Sequence, residues 1–464
     1  MYVTDNLRIH SGREPGPREG GEFVLYWLQT AMRTAGNHAL TFAIEQANRL
    51  RLPLLVYQGL RPDYPWASDR FHTFILESAY DLSRDFQERG IQYVFYLDPG
   101  REARPAGSPS PLITLARRAA LVVTDYFPTF IVPRQLRSLR EKVDTPVIAV
   151  DSCTLIPLRY HDREYSSARA IRPRLLEALP HYLHPYADVE LDVRRTVDPG
   201  FEPAAPVPGS IPALVASCPI DHTVKPSPTI RGGRRAALAR LDAFTLRGLD
   251  RYLEDRSDPN LDATSRLSPW LHFGNLGIHE VLLAARDAGP APGYEKFQDE
   301  ALTWRELAHN FVFFNRRHRT WDAVPAWAQS ELADHNADPR PAIYSDEDLE
   351  MARTGDELWN ACQRSLRRDG ELHNYLRMLW GKAVLMWKQD PADALRVLEH
   401  LNNKYALDGR DPNSYGGILW CFGKFDRPFY RRPIYGTVRY MSLRAAEKKF
   451  DVGKYIRSRM EPPP

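Results

Sequence analysis

The amino-acid sequence predicts an α/β domain followed by an all-α domain. Short apolar runs alternate with helical patterns in the first half, whereas helix-favouring residues dominate the second half. Between the halves, residues 191–233 are rich in Pro, which disfavours helix and sheet interiors and predicts an interdomain linker. A chain of 464 residues is long enough to bury a core in each domain.

The first domain is expected at residues 21–190, after a flexible arm at residues 1–20. Its apolar runs begin at Phe23, Leu52, Ile91, Leu121 and Pro146. They are continuous rather than alternating, which is typical of parallel strands buried on both faces. Helical patterns such as residues 37–51 separate them, so we expect a doubly wound parallel sheet of five strands. No G-x-G-x-x-G or Walker loop follows the first strand, so the usual dinucleotide or ATP site is not expected.

The second domain is expected at residues 234–464. Leu, Ala, Arg and Glu recur there at helical spacing, and strand-like alternation is nearly absent. We therefore expect an all-α domain without internal repeats.

Composition and charge exclude several classes of protein. The formal charge of +3 is small, so any nucleic-acid binding must depend on local clusters of Lys and Arg. The four cysteines form no C-x-x-C pair, which indicates neither a zinc site nor a disulfide framework. No apolar run approaches about 20 residues and no signal peptide is recognisable, so an intracellular protein without a membrane span is expected.

Residues 401–442 form the most informative segment, because no ordinary core helix needs so many Asn, Asp, Gly, Arg and aromatic residues. Glycines allow a close approach of the backbone to a ligand, while Asn402, Asp408 and Asn413 offer directed hydrogen bonds. Turn chemistry alone is the alternative explanation. We interpret the segment as a binding site.

Residues 264–269 are a second candidate site. Their hydroxyls and free amides are expected at a helix start, where the positive end of the helix dipole attracts anions. A simple helix cap by Ser or Thr is the alternative, and the segment alone would favour it.

Aromatic residues recur at helical spacing in two further segments. Glu300 and Trp304 are four residues apart, which places a carboxyl beside a flat wall that can stack a base. A surface Glu beside a core Trp is the alternative. Trp380 and Trp387 share one helix face and Trp359 can join them, either as ordinary core or as an electron-transfer chain to a redox cofactor.

Together the ordered motifs TSRLSPWLHFG, DEALTWRELAHNF, LWNACQ, NYLRMLWGKAVLMW, LNNKYALDGRDPNSYGGILW and VRYMS resemble the class II cyclobutane pyrimidine dimer photolyases. The resemblance spans nearly the whole chain. It implies an antenna-type α/β domain and a helical domain that binds FAD and DNA. The implied activity is that of a light-dependent lyase: reduced FAD (FADH⁻) donates an electron to a flipped-out dimer in UV-damaged DNA, both cyclobutane bonds break, and the electron returns.

The resemblance assigns three groups of residues to FAD. The residues expected at its phosphates and ribityl chain are Tyr252, Thr264, Ser265, Leu267 and Ser268. Those expected beside the flavin ring are Asn402, at N5, and the charge pair Arg377 and Asp408. The photoreduction chain is expected to run from Trp380, nearest to FAD, through Trp359 to Trp387.

The resemblance also assigns residues to the damaged DNA. In the lesion pocket, Glu300 would hydrogen-bond to a carbonyl of the dimer, Trp304 and Trp420 would form the walls, and Met378 the floor. The residues expected to contact phosphates and to fill the vacated duplex space are Arg427, Phe429, Arg431, Arg432 and Arg439. A solvated basic face is the alternative explanation for these arginines.

Two positions depart from the family pattern, Phe425 where a His is more usual and Phe429 where a Trp is common. Both are expected near the DNA-facing loop, where they could weaken the preference for the lesion or for duplex DNA. Residues 151–165 also diverge, so the antenna chromophore stays open between a deazaflavin, which is the first choice, a folate, a flavin and none. A cryptochrome-like FAD light sensor is the alternative function. We expect a monomer that is cytoplasmic or nucleoid-associated, or nuclear in a eukaryote.

Overall fold

The computed structural model of the protein describes residues 4–11, 16–100, 102, 110–289 and 292–460. The first domain contains one sheet of six strands. They are β1 (Ile9–His10), β2 (Val24–Trp27), β3 (Leu54–Leu60), β4 (Gln92–Leu97), β5 (Leu121–Tyr126) and β6 (Val147–Asp151). Their spatial order is β1-β6-β5-β2-β3-β4, and every neighbouring pair except β1 with β6 is parallel. The five predicted strands are therefore present in a doubly wound arrangement, whose chain order reverses between β2 and β5.

The sixth strand was not predicted. In β1, Ile9 lies opposite Val150 of β6 in an antiparallel pair. Two residues are too few to give a readable hydrophobic pattern. Arg8 next to this strand is buried, and its guanidinium donates to the carbonyls of Thr154 and Leu155. The described residues 4–10 are thus packed against the sheet, which corrects the expectation of a flexible arm.

Helices cover both faces of the sheet. They are α1 (His38–Leu50), α2 (Asp69–Glu88), α3 (Pro111–Arg118) and α4 (Val132–Arg140). Alternate residues of β2 serve two cores: Val24 and Tyr26 pack with α1 and α2, whereas Leu25 and Trp27 pack with α3 and α4. Burial on both faces explains why the strands are continuously apolar.

The connection between the domains is packed rather than loose. It follows α5 (Ala168–Tyr182) and contains one short helix, α6 (Ile211–Ala216), which lies against α2. Near its end the amide of Gly232 donates to Glu77 Oε2 at 2.6 Å, and the amide of Gly233 donates to the Ser78 hydroxyl at 3.0 Å. Hydrogen bonds to α2 therefore take the place of regular secondary structure.

The second domain is helical, as predicted, and its described residues contain no strand beyond one isolated bridge. Its helices are α7 (Arg234–Arg247), α8 (Tyr252–Asp255), α9 (Ser268–His272), α10 (Ile278–Asp287), α11 (Tyr294–Gln298), a π-helix (Asp299–Trp304), α12 (Arg305–Phe314), α13 (Ala326–Asp334), α14 (Asp346–Glu350), α15 (Glu357–Asp369), α16 (Asn374–Trp387), α17 (Pro391–Tyr405), α18 (Pro412–Trp420) and α19 (Val452–Met460). Short 3-10 helices are Asn6–Arg8, Leu158–Tyr160, Trp321–Ala323 and Leu443–Lys448. In the described part of the chain, no helix has the length and apolar character needed to cross a membrane.

One buried arginine joins the two domains. Arg70 of α2 is 1% exposed, and its guanidinium donates to the carbonyl oxygens of Leu366, Arg367 and Arg368 in the last turn of α15. It also donates to the carbonyl of Tyr405, the last residue of α17, at 2.6 Å. Carbonyls at a helix end lack partners within the helix, so a side chain of one domain completes two helices of the other.

Candidate functional site

The polar segment 264–268 precedes and begins α9, but none of its hydroxyls caps that helix. The residue before the helix is Leu267, which is buried, and no side chain accepts from the first amides. The hydroxyls of Thr264, Ser265 and Ser268 have no hydrogen-bond partner among the described residues. The helix-cap explanation is therefore wrong, and these hydroxyls are available to a ligand.

Two arginines hold this segment. Arg240 of α7 donates to the carbonyl oxygens of Thr264 at 2.5 Å and Ser265 at 2.8 Å. Arg266 adopts a left-handed φ of 53°, and its guanidinium pairs with the carboxylate of Glu371. The segment is thereby fixed to the loop that precedes α16.

The predicted charge pair is formed at the start of α16. Arg377 Nη2 lies 3.0 Å from Asp408 Oδ1, and the two side chains are 22% and 15% exposed. The loop that carries Asp408 is tied to the same place, because the amide of Leu407 donates to the carbonyl of Gly370 at 2.9 Å. The segment before α9, the start of α16 and the Asp408 loop therefore form one neighbourhood.

Asn402 lies beside this pair on α17 and is 1% exposed. Its Nδ2 is 3.3 Å from Asn403 Oδ1, which also accepts from the amide of Arg410 at 2.8 Å. A Cβ at Gly409 would lie 2.8 Å from the carbonyl oxygen of Asn402, so a side chain at position 409 would collide with α17. This close packing fixes Asn402 relative to the loop.

Glu300 is paired with two cations. Its Oε1 lies 2.7 Å from Lys296 Nζ and 3.0 Å from Arg256 Nη1. Burial, and then the charge of Glu300, raises the pKa of the nearby Tyr252 phenol. The structure thus brings Tyr252 and Glu300 together. Sequence reasoning missed Arg256 and placed the carboxyl against apolar surface alone, although Arg256 is only one helical turn beyond Tyr252.

The two predicted walls of the lesion pocket are in contact. Trp304 stacks on Trp420 with ring centroids 4.5 Å apart and planes 17° apart. Trp304 and Glu300 both belong to the π-helix, a rare turn that is frequent at functional sites. The sequence predicted ordinary helical spacing for these residues, which the wider turn corrects.

Trp420 is anchored to α16 through its neighbours rather than through its own indole. Its Nε1 is buried and faces the carboxyl of Asp426 without a close hydrogen bond. The next residue, Cys421, accepts a 2.6 Å hydrogen bond at its carbonyl from the buried ammonium of Lys382, and burial lowers the pKa of Lys382 to about 8. Met378, the predicted pocket floor, is half-buried one turn earlier on α16.

The three other predicted tryptophans form a buried chain. Trp380 and Trp359 are parallel, with centroids 6.4 Å apart, and Trp387 lies edge-on to Trp359 at 5.4 Å. They are 2%, 0% and 4% exposed. Trp380 follows Arg377 by one turn of α16, so this end of the chain lies beside the predicted flavin residues.

Sequence reasoning missed two neighbours of this chain. Gln363 Oε1 accepts from the indole N–H of Trp380 at 3.0 Å, while the indole N–H of Trp359 donates to the carbonyl of Trp380 at 3.0 Å. Tyr344 lies edge-on to Trp387 at 5.1 Å. Gln363 is one turn after Trp359, so helical spacing could have identified it. Tyr344 lies in a loop, where no periodicity applies.

The predicted DNA-contacting residues follow α18 in a surface loop. Four of them are exposed, namely Arg427, Phe429, Arg431 and Arg432. The fifth, Arg439, is half-buried. The amide of Phe429 donates to the carbonyl of Thr437 at 2.8 Å, which closes the loop. Tyr430 near the tip is 92% exposed and was not predicted.

The charges of this loop are not equivalent. Arg431 pairs with Glu331 at 2.7 Å, and the guanidinium carbon of Arg439 lies 5.7 Å from the ring centre of Phe429. Arg427 has no ion-pair partner among the described residues. Part of the basic face is therefore engaged within the protein.

Phe425, the first departure from the family pattern, is packed rather than exposed. Its ring lies edge-on to Phe311 at 5.9 Å, and its backbone has a left-handed φ of 67°. Lys424 beside it pairs with Glu164 at 2.6 Å. Phe425 therefore packs against the core with an apolar ring, and this position has no titratable ring.

A cavity of about 400 Å³ lies at the carboxyl edge of the sheet, between the domains. It opens where the chain order reverses between β2 and β5, the place where doubly wound sheets bind ligands. The helical domain contributes His272, Phe273 and Arg410 to its wall. A larger cleft of about 1000 Å³ lies between α2 and the interdomain linker and contains none of the predicted site residues.

No protein-family model matches the chain. Curated relatives do match. The chain is 36% identical over 460 residues to a deoxyribodipyrimidine photo-lyase of Methanothermobacter thermautotrophicus, and the match covers 98% of both proteins. It is 30% identical over 447 residues to a deoxyribodipyrimidine photo-lyase of Potorous tridactylus, covering 95% of this chain and 82% of the relative.

Solved structures share the fold. An archaeal photolyase from Sulfolobus tokodaii, described with two FAD molecules, gives a TM-score of 0.68 at 17% identity, covering 94% of this chain and 89% of that one. A cryptochrome from Synechocystis also gives a TM-score of 0.68 at 17% identity, covering 94% of this chain and 88% of that one. At this identity the two likenesses establish the fold alone.

Proposed function

Because the chain belongs to the deoxyribodipyrimidine photolyase family, we propose that it is a class II enzyme that splits cyclobutane pyrimidine dimers in UV-damaged DNA. One observation carries the proposal: both groups of tryptophans are connected to α16. Trp380 is part of this helix, and the residue after Trp420 is hydrogen-bonded to it through Lys382. An electron-transfer chain and a base-stacking pair would then flank one cofactor.

The residues fit FAD, the cofactor indicated by the family. The hydroxyls of Thr264, Ser265 and Ser268 would contact its phosphates and ribityl chain, next to Leu267 and Tyr252. Two observations support this. The hydroxyls have no hydrogen-bond partner among the described residues, and Arg240 fixes the segment by donating to the carbonyls of Thr264 and Ser265. Reduced FAD, when bound, supplies on illumination the electron that breaks the two cyclobutane bonds.

The side chains around the flavin ring would set its charge balance. Asn402 would direct its amide to the N5 side, and the Arg377–Asp408 pair would lie beside the ring. Because the pair is mostly buried, its field is screened less than that of a surface pair. Trp380, Trp359 and Trp387 would pass electrons between this region and the outside of the domain.

The lesion pocket would form around Glu300 and the stacked tryptophans. The carboxyl of Glu300, when it carries a proton, would donate a hydrogen bond to a dimer carbonyl, and this contact would strengthen as negative charge develops on the carbonyl. The stacked rings of Trp304 and Trp420, 4.5 Å apart, leave no room for a base between them, so we propose that they separate when the dimer enters above Met378. A damaged pair costs less to unstack than an intact one, which favours its extrusion.

The loop after α18 would hold the duplex. Arg427, Arg432 and Arg439 would contact phosphates, and Arg431 would do so after leaving Glu331. Phe429 and the exposed Tyr430 would fill the gap left by the flipped dimer. The protein is proposed to act as a monomer.

The interdomain cavity is proposed as the antenna site, with a deazaflavin as the first choice and a folate or flavin as alternatives. Its position at the switch point of the sheet supports this assignment. The Sulfolobus tokodaii photolyase is described with two FAD molecules and with the implication of a novel light-harvesting cofactor, which supports a second chromophore site here.

A light sensor of the cryptochrome type is the second candidate, which the shared fold favours. A sensor needs no lesion pocket, however, and the paired Trp304 and Trp420 beside Glu300 are better explained by repair.

The test is repair of a thymine-dimer oligonucleotide by the purified, reduced protein under blue or near-ultraviolet light. Restoration of thymines in the light and not in the dark is expected. Bound, photoreducible FAD without any repair would overturn the lyase assignment in favour of the sensor.

A further inference from the structure

Gln363 is a buried polar residue beside the three buried tryptophans. It lies on α15 one turn after Trp359 and is 0% exposed. Its Oε1 accepts from the indole N–H of Trp380 at 3.0 Å. An amide is costly to bury unless both of its ends are hydrogen-bonded, so the partner of each end is informative.

The amide of Gln363 is fixed at both ends. Its Nε2 donates to the backbone carbonyl of Glu350 at 3.2 Å. Because an indole N–H can only donate and a carbonyl can only accept, these two partners allow one orientation of the amide. Glu350 is itself held to α17, since its carboxylate accepts from Lys404 at 2.7 Å and from the hydroxyl of Tyr405 at 2.6 Å. The oxygen of Gln363 therefore points at Trp380 in a fixed position.

The indole of Trp359 has the same kind of acceptor. Its N–H donates to the backbone carbonyl of Trp380 at 3.0 Å, and the planes of the two rings are 7° apart. Both inner tryptophans thus direct the indole proton at a neutral amide oxygen. Such an oxygen accepts a hydrogen bond, but it is far too weak a base to take the proton, as a carboxylate or a His ring would.

Ionisable groups near Gln363 are poor proton acceptors or are engaged elsewhere. Burial raises the pKa of the neighbouring Cys362 thiol to about 12, so this group keeps its proton at neutral pH. The carboxylate of Glu350 already accepts from two side chains of α17, and its backbone carbonyl is the group that bonds to Gln363. Within the described residues, the indole proton of Trp380 is held by an amide and by no ionised group.

This arrangement matters when an indole gives up an electron, because the ring then carries a positive charge and its N–H becomes a strong acid. A fixed carbonyl dipole aimed at the N–H stabilises that charge, since the hydrogen bond strengthens as the charge develops. A base at the same place would take the proton, and the electron vacancy would then be trapped on the ring until the proton returned. A neutral amide provides the stabilisation without the trap.

We propose that Gln363 is the positioning residue that lets Trp380 pass electrons without losing its proton, an inference that deepens the proposed function and rests on it. In this step Trp380 loses one electron to light-excited FAD, the flavin gains that electron, and no covalent bond forms or breaks. The proton stays on Nε1 of Trp380. The vacancy then passes to the parallel ring of Trp359, whose centroid is 6.4 Å away.

The test follows the Trp380 radical by transient absorption in a Trp359→Phe background, in which the vacancy cannot move on. The protonated and deprotonated radicals have different absorption bands, so a packing defect does not imitate proton loss. With Gln363 in place, we expect the protonated radical throughout the range from about pH 6 to about pH 10. Gln363→Glu is expected to give the deprotonated radical wherever the infrared band of the introduced carboxyl shows that it is ionised, with a lifetime about tenfold longer because the proton must return.

Gln329→Glu is the matched control. Gln329 belongs to α13 of the same domain, and its amide donates to the backbone carbonyls of Trp321 and Val324. This change is expected to leave the radical spectrum and its lifetime unaltered. The protonated radical alone in Gln363→Glu with an ionised carboxyl, or the same deprotonation in Gln329→Glu, would overturn the proposal.

Gln363→Leu decides the matter if the carboxyl introduced by Gln363→Glu stays protonated. In protein with isotope-labelled tryptophan, the indole N–H resonance of Trp380 is identified by its loss in Trp380→Phe. Gln363→Leu removes the acceptor, so we expect this resonance to move upfield and its proton to exchange with heavy water about tenfold faster, with or without FAD. Formation of the Trp380 radical, followed by the decay of flavin fluorescence, is expected to slow several-fold. An unmoved resonance or an unchanged rate would contradict the assigned role.

Repair by the chemically reduced wild-type protein separates this inference from the lyase assignment, because chemical reduction bypasses the tryptophans. Normal light-dependent repair by that sample, together with unaltered radicals in both Gln363 variants, would overturn the role of Gln363 and leave the repair function standing. Absence of repair by the reduced wild type would contradict the lyase assignment itself, whatever the radical measurements show.

Discussion

Trp380, Trp359 and Trp387 are at most 4% exposed, whereas Trp304 and Trp420 are half-buried and stack on each other. The buried chain is held by hydrogen bonds, since the indole N–H groups of Trp380 and Trp359 each have an acceptor. The indole N–H of Trp420 has no comparably close acceptor and instead faces the carboxyl of Asp426. A packed core thus fixes the spacing of the first group, whereas the two tryptophans proposed to receive the lesion are less buried.

The largest effect is expected from Trp380→Phe. Phe keeps most of the packing but is far harder to oxidise than Trp, so photoreduction of oxidised FAD should fall to background, as followed by absorbance under blue light. Chemically reduced enzyme should still repair dimers.

Trp321→Phe is the matched control for this change. Among the described aromatic rings, Trp321 pairs edge-on with Phe422 at 5.9 Å and with none of the three buried tryptophans. Normal photoreduction in Trp380→Phe would remove this residue from the chain, and equal loss in both variants would point to a general packing defect.

The next largest effect is expected from Trp420→Ala and Trp304→Ala. Loss of one stacking surface is worth about 1–3 kcal/mol per base, so affinity for dimer-containing DNA should fall about fivefold to 150-fold. The measurement is a fluorescence-anisotropy titration. Affinity for undamaged DNA of the same sequence is the control, and an equal loss for both DNAs would contradict a role as walls of the lesion pocket.

Glu300→Ala is expected to lower the quantum yield of repair several-fold, because the dimer carbonyl loses a hydrogen-bond partner as charge develops on it. Glu300→Gln keeps a donor and should lose less. FAD content, measured from the absorbance spectrum, is the control in both. Equal yields in wild type and Glu300→Ala would exclude this contact.

The smallest effect is expected in the surface loop. Arg427→Gln should reduce DNA affinity a few-fold and lower the slope of log affinity against log salt by about 0.9, the value for one phosphate contact. Arg431→Gln should lower the slope less, because Arg431 pairs with Glu331. If Arg431→Gln had the larger effect on the slope, the ranking of the two arginines would be wrong.

The sequence predicted most of the fold because its signals were periodic or compositional. Continuous apolar runs identified five strands, and Asn37 and Arg51 bound the first crossover helix at the predicted limits. The two residues of β1 were too short for any pattern. The π-helix was also missed, because its wider turn is defined by backbone hydrogen bonds that the residue pattern does not reveal.

The candidate site was less predictable because many of its contacts join distant segments. The resemblance identified Glu300 but not the cations beside it, and Trp380 but not the glutamine that accepts from its indole. No local sequence pattern predicts that Arg410 lies between Phe71 of the first domain and Phe273 of the second. Such partners depend on the tertiary arrangement of elements, which propensity and spacing do not encode.

The hydrogen bonds of Arg70 between the two domains affect how the protein unfolds. Without α2, the carbonyls at the ends of α15 and α17 would lose the donor that now completes them. Trp359 lies on α15, and Asn402 lies three residues before Tyr405 at the end of α17. We therefore expect the buried tryptophans and Asn402 to unfold together with the α/β domain, in one cooperative thermal transition rather than two separate ones.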